Sequence, residues 1–133
     1  MKIILDTSAA LHVALQGEQA ARLVPLIESA TEVLSPKFIQ VEMGNAVWKY
    51  MRWQSMPLDQ ALQHWDNATG LIDQLLDDAT LMPQALGLAA KHEHPVYDML
   101  YIAAALQHGA RLLTLDRKLK ALAAQIDPNM PLE

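Results

Sequence analysis

The chain has 133 residues, of which 52% are hydrophobic, and its formal net charge is -5. This size and composition predict one domain, residues 1–133, with a buried core of its own. Because cysteine is absent, disulfide frameworks, thiolate zinc sites and cysteine nucleophiles are excluded. The acidic balance argues against a non-specific DNA binder, since such proteins are usually basic. It leaves nucleic-acid enzymes open, because bound divalent ions would offset an acidic cluster.

No part of the sequence resembles a targeting or membrane-spanning segment. Asp6 interrupts the apolar start of the chain before a secretory pattern can form. No apolar run approaches the roughly 20 residues that a spanning helix needs. We therefore expect a soluble, cytoplasmic protein with no membrane partner.

Hydrophobic periodicity and the positions of glycine and proline predict strands that alternate with helices. Strands are expected at 2–5, 31–34 and 111–115, with a brief further strand at 79–81. Helices are expected at 8–15, at 18–30, from Ser35-Pro36 to about Trp53, from Ser55-Met56-Pro57 to about Asp78, from Pro83 to about His92, from Tyr97 to Gln107 and from Arg117 to Ala124. Pro25 should kink or divide the second helix, and Ser35-Pro36 should start the third with a capping hydroxyl and a first-turn proline.

Strands separated by helices imply parallel crossovers and a sheet that is covered on both faces. The expected fold class is therefore α/β. In open sheets of this kind, ligands bind beyond the carboxyl ends of the strands. Asp6 and Asp116 directly follow the strands at 2–5 and 111–115, so they lie where this rule places a ligand.

Four acidic residues interrupt segments that are otherwise apolar: Asp6, Glu42, Asp98 and Asp116. An unpaired carboxylate is costly to remove from water, so such groups need a cation or dense hydrogen bonding. Asp6, Asp98 and Asp116 could each merely cap a helix. Capping explains Glu42 poorly, because it lies inside its predicted helix. The joint pattern favours convergence of the four acids on one metal site.

The neighbours of these acids are polar residues that could support a metal site. Thr7 and Ser8 follow Asp6, and Asn45 lies on the same helical face as Glu42. Thr114 would point to the same side of the sheet as Asp116 if residues 111–116 stay extended. A cluster of oxygen ligands suits Mg²⁺ or Mn²⁺, and four acids leave room for two ions. Two such metals can activate a water and stabilise the leaving oxygen in phosphodiester hydrolysis.

At these residues the chain resembles the PIN domain family, and within it the VapC-type toxins of bacterial toxin–antitoxin pairs. The matching segments cover essentially the whole chain in order: Ile4-Leu5-Asp6-Thr7-Ser8-Ala9, Val41-Glu42-Met43-Gly44-Asn45-Ala46, Tyr97-Asp98-Met99-Leu100-Tyr101-Ile102-Ala103-Ala104-Ala105 and Leu112-Leu113-Thr114-Leu115-Asp116. No single motif is specific, but the four together are.

The resemblance implies a PIN-like three-layer α/β/α sandwich with a short parallel sheet. It also implies a Mg²⁺- or Mn²⁺-dependent endoribonuclease that hydrolyses RNA with a metal-activated water, a homodimer, and a cognate antitoxin that obstructs the site. The family's catalytic and metal-binding quartet corresponds to Asp6, Glu42, Asp98 and Asp116, and its supporting polar positions to Thr7 or Ser8, Asn45 and Thr114. The segment after Asp116 departs from the family pattern, because it lacks a clear final strand.

Two alternatives remain open from the residues alone. A receiver-like phosphoacceptor also gathers acids and Mg²⁺ at the carboxyl ends of a parallel sheet, although Asp6 lacks the acidic neighbour that is usual there. A catalytically silent PIN-like module is the other alternative, although four clustered charges would serve no purely structural purpose. Trp48, Tyr50 and Trp53 cannot all easily point inward, so we expect exposed aromatic surface there, for a dimer mate or antitoxin rather than RNA.

Overall fold

The computed structural model describes all 133 residues, and its centre is one parallel β-sheet. The strands are β1 (Lys2–Leu5), β2 (Glu32–Pro36), β3 (Gln74–Leu76) and β4 (Arg111–Leu113), in the order β3-β2-β1-β4. The helices are α1 (Thr7–Ala14), α2 (Ala20–Glu28), α3 (Ile39–Gln54), α4 (Leu58–Thr69), α5 (Asp78–His92), α6 (Val96–His108) and α7 (Arg117–Ile126). Each pair of successive strands is joined through helices, as parallel pairing requires. The predicted α/β class is confirmed.

Strand β1 is buried on both of its faces. Ile3, Ile4 and Leu5 are fully buried, although successive side chains of a strand point to opposite sides of the sheet. Helices must therefore cover both faces, as the predicted three-layer sandwich requires. Helix α6 packs against β1, β2 and β4, and α5 packs against α6. This position explains why every residue from Met99 to Ala105 is buried, since a helix between two layers is apolar all round.

The predictions for the middle of the chain were wrong in their boundaries. The helix expected to reach Asp78 ends at Thr69, and β3 occupies part of its remaining length. The strand expected at 79–81 belongs to α5, whose N-cap Asp77 accepts from the Ala79 N–H. Pro83 lies inside α5 instead of opening it. A three-residue edge strand offers too short a pattern to be distinguished from the helices around it.

Ser35-Pro36 does not start a helix, contrary to the prediction. Both residues belong to β2, and α3 begins only at Ile39. The Ser35 hydroxyl donates a hydrogen bond to the Leu5 carbonyl at 2.9 Å, which ties β2 to β1. Pro36 is the last residue of the strand. Pro25 lies within a single α2 and does not divide it.

The chain terminus covers the outer edge of β4 without forming a full strand. The Leu112 N–H donates to the Met130 carbonyl at 2.8 Å, and the Leu132 N–H donates to the Leu112 carbonyl at 2.9 Å. The Arg111 side chain also donates to the carbonyls of Asn129 and Pro131. These bonds occupy backbone groups that an open sheet edge would expose. None of the seven helices is long and apolar enough to cross a bilayer.

Candidate active site

The sheet has one topological switch point, which lies between β1 and β4. The chain adds β2 and β3 on one side of β1, and β4 on the other. Ligands of open α/β sheets bind beyond the carboxyl ends of the strands at such a point. Asp6 follows β1 and Thr114 follows β4, and the Thr114 hydroxyl donates a hydrogen bond to the Asp6 carboxylate. The two residues meet although they lie at opposite ends of the chain.

Asp6 is the most buried of the four predicted acids, at 4% exposure. Its carboxylate caps α1 by accepting from the Ala9 N–H at 3.0 Å, and it also accepts from the Ser8 hydroxyl at 2.7 Å. Burial raises its pKa from 3.8 to about 6; the charge of Glu42 adds to this rise, and the hydrogen bonds oppose it. No lysine or arginine forms a salt bridge with it. A buried carboxylate at this position therefore lacks a cationic partner.

Asp116 occupies a different environment from Asp6. It is exposed and caps α7, accepting from the N–H groups of Lys118 at 2.9 Å and Leu119 at 3.2 Å. Its own N–H donates to the Thr114 hydroxyl at 3.0 Å, so Thr114 connects it to Asp6. Strand β4 ends at Leu113, but the backbone of Asp116 is itself extended, with φ -77° and ψ 112°. The common orientation of the Thr114 and Asp116 side chains stays a prediction.

Glu42 projects from the first turn of α3 and is held by two hydroxyl groups. The Thr7 hydroxyl donates to its carboxylate at 2.5 Å, and the Tyr101 hydroxyl donates at 2.6 Å. Tyr101 is buried, and burial together with the charge of Glu42 raises its pKa. Sequence reasoning missed the role of Tyr101. The available signal was its position: it bears the only hydroxyl in the buried stretch of α6, one turn after Asp98.

Asp98 lies in the first turn of α6, beside a cavity that it shares with Glu42 and Asn45. Its carboxylate is 2.7 Å from His94 Nε2, a pairing that sequence reasoning also missed. The spacing of four residues was its only signal. The cavity has a volume of about 520 Å³, and its lining consists of Phe38, Val41, Glu42, Asn45, Pro95, Tyr97 and Asp98. Asn45 is exposed at its surface.

Comparison with known proteins identifies the family. The model of the PIN domain family matches residues 3–125. The chain belongs to the PIN domain family. Ribonuclease VapC3 of Pyrobaculum aerophilum is 29% identical over 128 residues, which are 90% of this chain and 92% of VapC3. The family resemblance seen in the sequence is thus confirmed, and it leaves the receiver-like alternative without support.

Two solved structures share the PIN fold of this chain. The crystal structure of PAE2754 from Pyrobaculum aerophilum has a TM-score of 0.73 and 24% identity, and the match covers 92% of this chain and 79% of that one. The crystal structure of VapBC2 from Rickettsia felis, bound to a DNA fragment from its promoter, has a TM-score of 0.67 and 16% identity over 100% of this chain and 98% of that one. At these identities the likeness concerns the fold.

The site of this PIN domain brings its polar residues together in two connected groups. Asp6, Ser8 and Thr114 form one group, and Thr7, Glu42 and Tyr101 form the other, joined to it by the Asp6–Thr7 peptide. Asp98 and Asn45 share the cavity with Glu42. No three acidic or histidine side chains adopt a metal-ligating arrangement. Each carboxylate is instead held by its own donors, and their oxygen atoms are of the type that Mg²⁺ and Mn²⁺ prefer.

Proposed function

We propose that this PIN domain is a metal-dependent endoribonuclease and the toxin of a type II toxin–antitoxin pair in the cytoplasm. The observation that carries the proposal is the burial of Asp6 at the β1–β4 switch point without a cationic partner and close enough to Glu42 for its pKa to be raised further. Such an arrangement suits a divalent cation. The name of the relative VapC3 supports the ribonuclease activity, and the VapBC2 structure supports the toxin role.

We assign the metal-binding and catalytic roles to Asp6, Glu42, Asp98 and Asp116, with Mg²⁺ or Mn²⁺ as the ion. When bound, the ion supplies water activation and stabilisation of the leaving oxygen of an RNA phosphodiester. The protein's part is to position the carboxylates. Ser8 and Thr114 orient Asp6, while Thr7 and Tyr101 orient Glu42. Asn45 faces the same cavity as Glu42 and Asp98 and provides an uncharged polar contact.

The surface supports the proposed antitoxin and dimer contacts. Trp48 is 50% exposed and Trp53 is 68% exposed, which confirms the expected exposed aromatic surface. Leu58 and Leu62 on α4 are also more than half exposed, and they border a groove with Trp48. Clustered exposed apolar side chains are typical of protein contact surfaces. They are the basis for proposing a cognate antitoxin and a homodimer.

Cleavage of a mixed RNA pool by the purified protein in Mn²⁺ tests the nuclease function. We expect cleavage that stops on chelation with EDTA, and loss of cleavage in Asp6→Asn and Asp98→Asn variants with melting temperatures that show a retained fold. Asp66→Asn is the matched control, because Asp66 is exposed on α4 and outside the site. Full cleavage by both site variants would refute the proposal. A folded wild-type protein that cleaves no RNA would favour the silent module.

A further inference from the structure

The cavity beside Glu42 and Asp98 has an aromatic wall that the proposed chemistry does not use. The rings of Phe38 and Tyr97 stack with centroids 5.5 Å apart and planes inclined by 19°. Tyr97 is nevertheless 56% exposed. Because Phe38 covers one face of the Tyr97 ring, the exposed area belongs to its other face and its edge. An aromatic face is thus presented at a cavity of about 520 Å³.

Both rings are held by backbone that has little freedom. Phe38 lies in the turn between β2 and α3, and its N–H donates to the Asp78 carboxylate at 3.1 Å. Tyr97 is in the first turn of α6, directly after the Pro95-Val96 start of that helix. Proline restricts the backbone at this entry. The ring stack is therefore a pre-positioned surface, which lowers the entropic cost of binding a flat ligand.

The aromatic wall and the acids are neighbours in the sequence as well as in the cavity. Glu42 follows Phe38 by one helical turn, and Asp98 directly follows Tyr97. When a phosphodiester reaches these carboxylates, the nucleosides on either side of it lie within reach of the same cavity. The largest concavity that adjoins the acids is the one with the aromatic wall. A base that enters it meets the stacked rings of Phe38 and Tyr97.

We propose that Tyr97, backed by Phe38, is the stacking subsite for a base that flanks the scissile phosphate of single-stranded RNA. This inference rests on the proposed nuclease function and names part of its substrate contact. Bases stack on aromatic side chains with little regard to sequence. The base must be unpaired, because bases within a duplex are already stacked on one another. The enzyme therefore requires a single-stranded or splayed nucleotide at the cut.

The lining of the cavity suits a neutral, flat base and excludes an acidic peptide. Glu42 and Asp98 line it, and no lysine or arginine does. An acidic peptide would be repelled there, whereas a neutral, flat base is not. The groove bordered by Trp48, Leu58 and Leu62 is separate and has no acidic lining. That groove, and not the Tyr97 cavity, has the apolar character of a protein contact.

A cycle that combines protein and RNA changes tests the subsite. A short single-stranded RNA is first mapped for its cleavage position with the wild-type protein in Mn²⁺, and is then made with the base omitted on either side of the cut. We expect one of the two omissions to raise the KM of the wild-type protein about tenfold. Tyr97→Ala should raise the KM for the intact RNA by a similar factor and abolish the penalty of that omission. Tyr97→Phe keeps the ring and should behave as wild type.

Leu86→Ala is the matched control, since Leu86 is a large apolar residue that is 55% exposed, close to the 56% of Tyr97, and lies outside the cavity. Its KM and its sensitivity to base omission should equal those of the wild type. Equal omission penalties in the wild type and Tyr97→Ala would overturn the subsite while leaving the nuclease function intact. If Tyr97→Ala changes the molecular mass measured by light scattering and leaves the RNA kinetics unchanged, Tyr97 belongs to a contact between copies of the protein. That result would also overturn the subsite. If the wild type cleaves no RNA, both the nuclease function and the subsite fail.

Discussion

Asp6 is held in an environment that resists its ionisation, although a metal site requires its carboxylate form. Its burial opposes the charge, and so does the proximity of Glu42. Hydrogen bonds from Ser8, the Ala9 N–H and Thr114 offset only part of this effect. The ionised carboxylate of Asp6 therefore lowers the stability of the metal-free protein at neutral pH, as expected where carboxylates are gathered for a cation.

The raised pKa of Asp6 predicts a pH dependence of the free energy of unfolding. The folded state favours the protonated carboxyl, so its contribution to stability is fully present below about pH 4 and is lost as the pH rises through about 6. The difference between 3.8 and about 6 corresponds to about 3 kcal/mol, since each pKa unit is worth about 1.4 kcal/mol. Urea unfolding in EDTA across this pH range measures it.

Asp6→Asn isolates this contribution from that of the other titrating groups. Asparagine caps helices as well as aspartate does, and it carries no charge to desolvate. We expect the metal-free variant to be more stable than the wild type at pH 7, with the difference vanishing towards pH 4. A variant that is less stable than the wild type at pH 7 would contradict the assigned cause.

Tyr101 positions Glu42 and does not itself need to touch the substrate. Tyr101→Phe removes the hydroxyl that donates to Glu42 at 2.6 Å and leaves the ring in the core. We expect kcat to fall about tenfold, as for the loss of one hydrogen bond to a charged group, and the Mn²⁺ concentration for half-maximal activity to rise. Tyr50→Phe is the matched control. An unchanged Mn²⁺ requirement in Tyr101→Phe would show that the hydroxyl has only a structural role.

At the scale of elements, three of the four acids lie at the N-terminal ends of helices. Asp6 caps α1, Asp116 caps α7, and Asp98 lies in the first turn of α6. The first N–H groups of a helix have no partner within the helix, so a side-chain oxygen at such a position can accept from them. The capping interpretation and the metal interpretation are therefore compatible for Asp6 and Asp116. One carboxylate can cap the N-terminus of a helix and also face the site.

Two substitutions of Asp116 separate these roles. Asp116→Ala removes the side chain that accepts from the Lys118 and Leu119 N–H groups, and we expect it to lower the free energy of unfolding by about 1 kcal/mol. Asp116→Asn retains the cap and should keep the wild-type stability. If Asp116 also binds metal, both variants lose RNA cleavage. Full cleavage by Asp116→Asn would show that Asp116 serves only as a helix cap.

The elements differ in how far local sequence predicts them. The α6 helix was predicted almost to its boundaries, because its long apolar run between Pro95 and Gly109 has one interpretation. Strand β3 and the end of β2 were not. Ser35 and Pro36 form a good local helix start, but the Ser35 hydroxyl has a partner in β1 that the local pattern does not contain. Tertiary contacts thus override propensity where the local signal is short.

At the scale of the molecule, the strand order brings the two ends of the chain to one site. Asp6 and Thr114 are 108 residues apart and share a hydrogen bond because β1 and β4 are parallel neighbours. The bond between the Leu115 N–H and the Ser8 hydroxyl reinforces the same junction. Unfolding of either end therefore disassembles the site. Binding of a metal there should stabilise the whole fold.

Titration with MnCl₂ tests this coupling. A ligand that binds only the folded state adds about 2.7 kcal/mol of stability at a hundredfold excess over its Kd. We expect the melting temperature to rise with Mn²⁺ at pH 7 and the rise to be much smaller in Asp6→Asn. Asp66→Asn, altered on the exposed surface of α4, should respond as wild type. No rise at millimolar Mn²⁺ would contradict the metal site.

The sequence alone determined the α/β class and the family, and it predicts the four acids of the site, because burial periodicity and isolated charges are local properties of the chain. The tertiary structure decided the strand order, the donors that hold each carboxylate, the parts played by Tyr101 and His94, and the stack of Tyr97 on Phe38. These features depend on which distant segments become neighbours. Local patterns do not specify these neighbours, since many pairings of segments satisfy the same periodicity.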